Sequence, residues 1–182
     1  VINPEKIADI LVECAESYIL PRYKALEEHE ISSKTGPEDL VTQADIDVEA
    51  HLERVLPDLL PGSIVIGEEG VSRGDKHVSV LADDTQAVWI VDPVDGTHNF
   101  VHQKREFAIM LALVINGRTE YSWIYDVLGK TCAITERGSG AFYGDQRLQV
   151  NTDSKDPSAY IGHLNSRFLS KTHQGRLKEV TG

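Results

Sequence analysis

The sequence predicts an α+β fold, with helices gathered at the N-terminal end and a mostly antiparallel sheet after them. Apolar residues recur at helical spacing up to about residue 59. From Phe107 onward, β-branched and aromatic runs alternate with glycine-containing turns. The chain has 182 residues, of which 41% are hydrophobic and 26% charged, enough for one domain (1–182) with a sizeable core. That composition excludes a disordered, collagen-like or mucin-like chain.

Ile7, Ile10, Leu11, Cys14, Ala15 and Tyr18 form the stripe of an amphipathic helix that begins near residue 4. Pro21 predicts a kink or break there, before a polar segment running to Glu30. Residues 34–39 (Lys-Thr-Gly-Pro-Glu-Asp) read as a loop. Thr42 is a good N-cap for a second helix, with Asp45 in its first turn and a stripe of Val48, Leu52, Val55, Leu56 and Leu59. Pro61-Gly62 closes it. Residues 63–67 and 87–91 are short runs with apolar residues on both faces, predicting buried strands that end in Glu68-Glu69 and at Asp92-Pro93. Further strand-like runs lie at 107–115, 119–127, 131–136, 140–143 and 147–151. Asn116-Gly117 between the first two is the strongest hairpin signal in the chain.

Charge is unevenly placed: residues 1–95 hold 21 Asp/Glu against 7 Lys/Arg, within a net charge of −11. Such a field repels phosphate backbones, so nucleic acid is excluded as an expected partner. An acidic half can collect divalent cations or simply confer solubility. No apolar run approaches the roughly 20 residues that span a bilayer, so no membrane association is expected. No secretory signal is visible at Val1–Lys6, and the expected location is cytoplasmic. Cys14 and Cys132 form no CxxC and are expected as buried free thiols.

The chemistry concentrates in Val91-Asp92-Pro93-Val94-Asp95-Gly96-Thr97-His98-Asn99-Phe100. Asp92 follows an apolar strand, where a carboxylate is costly unless paired or metal-bound. Asp92 and Asp95 on a turn can point at one centre, with the Val94 carbonyl and Thr97 hydroxyl adding oxygens. An all-oxygen set suits Mg²⁺. A short helix opening at Thr97 then presents free N–H groups to an anion. Glu68-Glu69 adds acidity at what reads as the same sheet edge. The competing reading is a surface turn in which Thr97 merely caps the helix.

Ile66-Gly67-Glu68-Glu69 followed by residues 89–102, with Lys34, Asp39-Leu40-Val41-Thr42 and Asp45 upstream, resembles the inositol monophosphatase family of Mg²⁺-dependent, lithium-sensitive phosphatases. The resemblance runs from the first helix to about residue 165. It implies a layered αβαβα sandwich, of which this chain carries the N-terminal helices, the antiparallel sheet and the start of the second layer. It also implies two or three Mg²⁺ ions, a homodimer, and hydrolysis of a small phosphate monoester such as an inositol monophosphate by a metal-activated water. By the resemblance, Glu68, Asp92, Thr97 and the Val94 carbonyl bind the first ion, and Asp92 and Asp95 reach toward the second. Asp45 pairs with Thr97 to orient or deprotonate the water. Asp95, Gly96 and Thr97, beside Glu68 and Val94, face the substrate. Glu69 stands behind Glu68.

The family's Trp-Asp motif, whose Asp completes the second ion site, has no counterpart here, so the C-terminal part of the family fold reads as missing. Histidinol phosphate, fructose 1,6-bisphosphate and 3′-phosphoadenosine nucleotides are the alternative substrates. A non-catalytic metal-binding interaction protein and a structural divalent-ion module are the alternatives of a different class. His98 is read as having no direct part in the chemistry and His102 as a structural hydrogen-bonder near the site; Lys34 is read as a solvated loop lysine in preference to one that reaches the substrate or a site carboxylate, and Tyr121, Trp123 and Tyr125 as sheet packing or a subunit interface.

Overall fold

A computed structural model describes residues 2–34, 36, 39–82, 85–150, 169–173 and 175–176. The chain divides into two compact units, Val1–Leu148 and Gln149–Gly182. In the second unit, residues 171–173 and 175–176 are helical and exposed.

Helix α1 spans Pro4–Cys14 and begins as its sequence requires. The Asn3 side chain accepts from the Glu5 and Lys6 amides (3.0 and 3.2 Å), with Pro4 in the first turn, where it forfeits no hydrogen bond. Ile7, Leu11 and Cys14 are its buried stripe. The helix then widens into a π turn over Ala15–Ile19, and Leu20-Pro21 ends it, which is the break the proline predicts. In the polar segment that follows, Arg22 donates to the Tyr18 carbonyl, Glu30 Oε1 and Asp47 Oδ2 at 2.8–2.9 Å, tying the first helix to the second.

Strands β1 (Ile31–Ser33) and β2 (Leu40–Thr42) pair antiparallel across the predicted loop. Three-residue strands are too short to display a period, so the sequence carries no signal for them. Helix α2 spans Gln43–Leu59 with Thr42 as its N-cap. Thr42 and Asp45 form a reciprocal capping box: Asp45 Oδ2 accepts from the Thr42 amide and hydroxyl at 2.8 and 2.6 Å.

The main sheet has seven strands in the order β3-β4-β5-β6-β7-β8-β9: Ile64–Gly67, Val88–Asp95, Ala108–Ile115, Arg118–Asp126, Thr131–Glu136, Gly140–Tyr143 and Gln146–Arg147. Strands β3 and β4 are parallel, joined by helix α3 (Glu68–Arg73) and a 3₁₀ segment (Val78–Ala82) that the sequence reading lacks. Every other pairing is antiparallel. Asn116 and Gly117 have φ of 53° and 67°, the conformation the tight β5–β6 turn demands.

Two predicted strands end elsewhere. Strand β4 continues past Asp92 to Asp95, with an irregular register between those residues, because Pro93 has no amide to give the ladder. The run 147–151 supplies only β9 at Gln146–Arg147; residues 148–150 are exposed coil, and position 151 lies outside the described residues.

Ile109, Leu111 and Leu113 alternate onto the buried face of β5 and pack with Val65, Trp89 and Trp123 into one cluster with Ile7, Leu11, Val48 and Leu52 of α1 and α2. Trp89 Nε1 donates to Ser63 Oγ and Trp123 Nε1 to the Pro4 carbonyl, both at 3.0 Å, so each buried indole has its partner. Trp123 and Tyr125 are buried, as sheet packing predicts. Cys14 is buried and Cys132 partly so; both are free, and burial pushes their thiols up to about 12 and about 11. No helix among the described residues is long and apolar enough to cross a membrane.

Candidate metal centre

Parallel strands β3 and β4 deliver their carboxyl ends side by side, and ligand sites of mixed sheets gather at such ends. Glu68 and Glu69 follow β3 directly as the first residues of α3. Asp92, Val94 and Asp95 occupy the irregular end of β4, and Gly96 and Thr97 open helix α4 (Thr97–Val101). Gly96 has φ +87°, and a Cβ there would stand 2.7 Å from the Glu106 carbonyl, so both torsion and space require glycine.

Asp45 reaches this edge from the first turn of α2. It is 1% exposed, and its Oδ1 accepts from the Thr97 hydroxyl at 3.1 Å. That hydroxyl lies also 2.9 Å from the Val94 carbonyl. Burial raises the Asp45 carboxyl to about 6, against the hydrogen bonds from Thr42 that favour its charge.

Burial likewise raises Asp92, to about 8, and the charges of Glu68, Asp95 and Asp45 add to it. Asp92 therefore feels the other three predicted carboxylates electrostatically. Asp92 Oδ1 is buried with no hydrogen-bond partner among the described residues. A buried, unpartnered carboxylate oxygen in an acidic cluster is what a cation would satisfy, and every donor at hand is oxygen, which suits Mg²⁺. No three carboxylate, imidazole or thiol groups among the described residues close around a single point. Mg²⁺ does not ask for such a cage, since it keeps several waters and takes one or two carboxylates.

Lys34 departs from its reading as a solvated lysine. Its side chain is 10% exposed, and Nζ lies 2.7 Å from both Glu68 Oε1 and Glu69 Oε1. Although burial works against its charge, these two carboxylates hold the ammonium protonated well above the ordinary lysine range. Glu69 is 3% exposed and shares the Lys34 ammonium with the more exposed Glu68. The predicted residues line two hollows: Glu68 and Asp92 border a largely apolar one of about 380 Å³, Asp95 and Gly96 an open one of about 700 Å³ that also includes Arg105 and Asp126. His98 and His102 are exposed and stack on one another at 4.1 Å.

Sequence reasoning missed Glu49. It is 2% exposed, and its two carboxylate oxygens accept from the backbone amides of Glu69 and Gly70. The signal was present, since Glu49 sits one helical turn beyond Asp45, between Val48 and Leu52 on the buried stripe.

Fold and site together define the class: a layered α+β protein whose sheet edge carries an acidic, oxygen-rich cluster backed by a part-buried Asp–Thr pair. Within that class the chain belongs to the inositol monophosphatase family, whose model matches residues 4–179. It is 39% identical over 118 residues to the inositol-1-monophosphatase of Bacillus subtilis, a stretch covering 65% of this chain and 42% of the relative. Among solved structures, the Thermotoga maritima IMPase superposes with a TM-score of 0.69 at 27% identity, over 82% of this chain and 54% of that one. An IMPase/NADP phosphatase solved with Mg²⁺ and phosphate gives 0.63 at 26% identity, over 76% and 49%. The chain spans under half the length of the curated relatives it matches.

Proposed function

We propose that the protein contributes the Mg²⁺-binding and water-activating half of a phosphomonoesterase acting on a small phosphorylated metabolite, an inositol monophosphate or a similar sugar phosphate. The carrying observation is the buried, unpartnered Asp92 oxygen beside the Asp45–Thr97 pair. Glu68, Asp92, Thr97 and the Val94 carbonyl would hold a first Mg²⁺, with Asp92 and Asp95 reaching a second; the resemblance allows two or three ions. When bound, Mg²⁺ supplies Lewis-acid polarisation of the phosphoryl group and a lowered pKa for the attacking water.

The chain's own residues do the rest. Asp45 accepts the Thr97 proton and so aims the Thr97 oxygen's lone pairs away from itself; with a pKa near 6, it is placed to receive a proton passed through Thr97 at neutral pH. The Gly96 and Thr97 backbone and the Thr97 hydroxyl face the phosphate, and Asp95, in the open hollow, meets substrate hydroxyls. By the resemblance, Glu68, from the neighbouring hollow, and Val94 complete the substrate-facing set.

A single family domain over 1–182 belongs to this proposal, supported by the family match over residues 4–179. A homodimer and a cytoplasmic location belong to it on the resemblance alone. The test is inorganic phosphate release, with and without Mg²⁺, from inositol 1-phosphate, histidinol phosphate, fructose 1,6-bisphosphate and 3′-phosphoadenosine 5′-phosphate. Mg²⁺-dependent turnover abolished by Asp92→Asn supports the reading, and the best substrate names the class. Turnover that survives Asp92→Asn or needs no divalent cation would overturn it.

A further inference from the structure

Glu49 is a buried carboxylate whose ion pair with Arg73, Nη2 to Oε1, is long at 3.7 Å. Instead it spends both oxygens on main chain: Oε2 accepts from the Glu69 amide at 2.8 Å and Oε1 from the Gly70 amide at 2.7 Å. These are N–H groups of the first turn of α3, which a helix leaves without internal partners. The residue in the N-cap position is Gly67, which has no side chain to cap them. Gly67 has φ −102° and ψ 157°, ordinary extended backbone open to any residue. Space, not torsion, makes it glycine: a Cβ on Gly67 would collide with the Glu49 carboxylate. The cap has been moved from the helix's own N-cap onto a neighbouring helix, and Gly67 is the hollow into which it fits.

The placement matters because of what α3 begins with. Glu68 and Glu69 are its first two residues, and the Glu69 amide is itself one of the two donors. On α2, Asp45 and Glu49 lie one turn apart on the buried side, the first gripping Thr97 beyond β4 and the second gripping the residues beyond β3. One helix face thus sets the spacing between the two strand ends that make the centre.

We infer that Glu49 is a positioning residue, a buried clamp that holds the Glu68–Glu69 turn in the orientation that binds the cation; this rests on the cation reading proposed above. Its removal loosens that turn without touching substrate, water or the ion.

The test compares the full chain with Glu49→Gln, and with Glu49→Asp in case the first variant folds poorly. Three measurements are made without substrate: thermal melting, amide hydrogen exchange, and calorimetric titration with Mg²⁺ alone. Both variants are expected to melt cooperatively. The Glu69 and Gly70 amides exchange at least about tenfold faster while those of Ile109 and Leu111 are unchanged, and Mg²⁺ affinity falls about 10- to 100-fold, the usual range for residues that orient a metal ligand. Raised Mg²⁺ restores phosphate release in the variants. A purely structural role would lower the melting temperature and leave Mg²⁺ affinity alone, so affinity within about twofold of the parent in a folded variant overturns the inference, as do Glu69 and Gly70 amides that stay protected. A parent that takes up no Mg²⁺, with Glu68→Gln indistinguishable from it, overturns the cation reading and the positioning role with it, whereas retained amide protection in Glu49→Gln overturns the clamp alone.

Discussion

Asp45 Oδ1 accepts from Thr97 Oγ1 at 3.1 Å, joining two residues 52 positions apart across the junction of α2 and the end of β4. The other Asp45 oxygen is already occupied by the Thr42 amide and hydroxyl. Asp45 therefore has one fixed orientation and one oxygen left for its partner.

From that pairing, Thr97→Ala and Asp45→Asn are each expected to lower Mg²⁺-dependent phosphate release about 10²- to 10⁴-fold, the usual yield of a positioned acid–base group. Thr97→Ser keeps the hydroxyl and is expected to stay within about tenfold of the parent. Initial-rate assays under saturating Mg²⁺ check both.

Asp92→Asn replaces a carboxyl whose Oδ1 is buried without a partner and whose charged form is opposed by burial and by the neighbouring carboxylates. Without divalent cations the variant is expected to be more stable than the parent by about 1–3 kcal/mol, the scale of an unmet polar group's desolvation. It is expected to gain nothing further from Mg²⁺, whereas the parent does. Urea unfolding with and without Mg²⁺ checks the pair of outcomes.

The pH dependence of the metal-free chain follows from the same groups. Asp45 and Asp92 have folded-state values near 6 and near 8, both above the 3.8 of a free Asp side chain. Between those limits the folded chain binds more protons than the unfolded one, so stability falls as pH rises. Their contribution is greatest below about pH 4 and is lost progressively between about pH 4 and pH 8. Urea midpoints at several pH values in a chelating buffer are expected to fall in that direction, and saturating Mg²⁺ is expected to reduce the slope by binding the ionised carboxylates.

Gly96→Ala places a side chain at φ +87° and against the Glu106 carbonyl. It is expected to cost about 2–4 kcal/mol, left-handed strain plus overpacking. Gly117→Ala, also at positive φ but with open space around it, is expected to cost only about 1 kcal/mol. Chemical denaturation of the two variants side by side separates torsion from collision.

Most of the fold was legible because its elements are long enough to show a period. The α2 stripe from Val48 to Leu59, the alternation of Ile109, Leu111 and Leu113, and the Asn116-Gly117 turn each carry their own signal. What escaped was short or depended on distant residues. Strands β1 and β2 have three residues each, and α3 has six, beginning with two charges that read as a strand's end. The site's acidic residues were legible as types and spacings around Asp92-Pro93-Val94-Asp95-Gly96-Thr97. Lys34 and Glu49 were not, because a lysine in a Gly-Pro loop and a glutamate on a helix look solvated until their partners, 34 and 20 positions away, are in place.

The one parallel pairing among the described residues joins β3 to β4. Strands β4 to β9 close through neighbouring segments, so their pairing costs little loop entropy, whereas β3 must find β4 across the whole 68–87 crossover. Among the described residues β3 is also an end strand of the sheet, with one ladder only. The meander is thus expected to pair first, and the β3–β4 joint that brings Glu68 beside Asp92 is expected to close after it. In refolding from urea the amides of the β4–β9 meander are expected to gain protection before those of Ile64–Gly67, and local opening is expected to reach the β3 end of the sheet first.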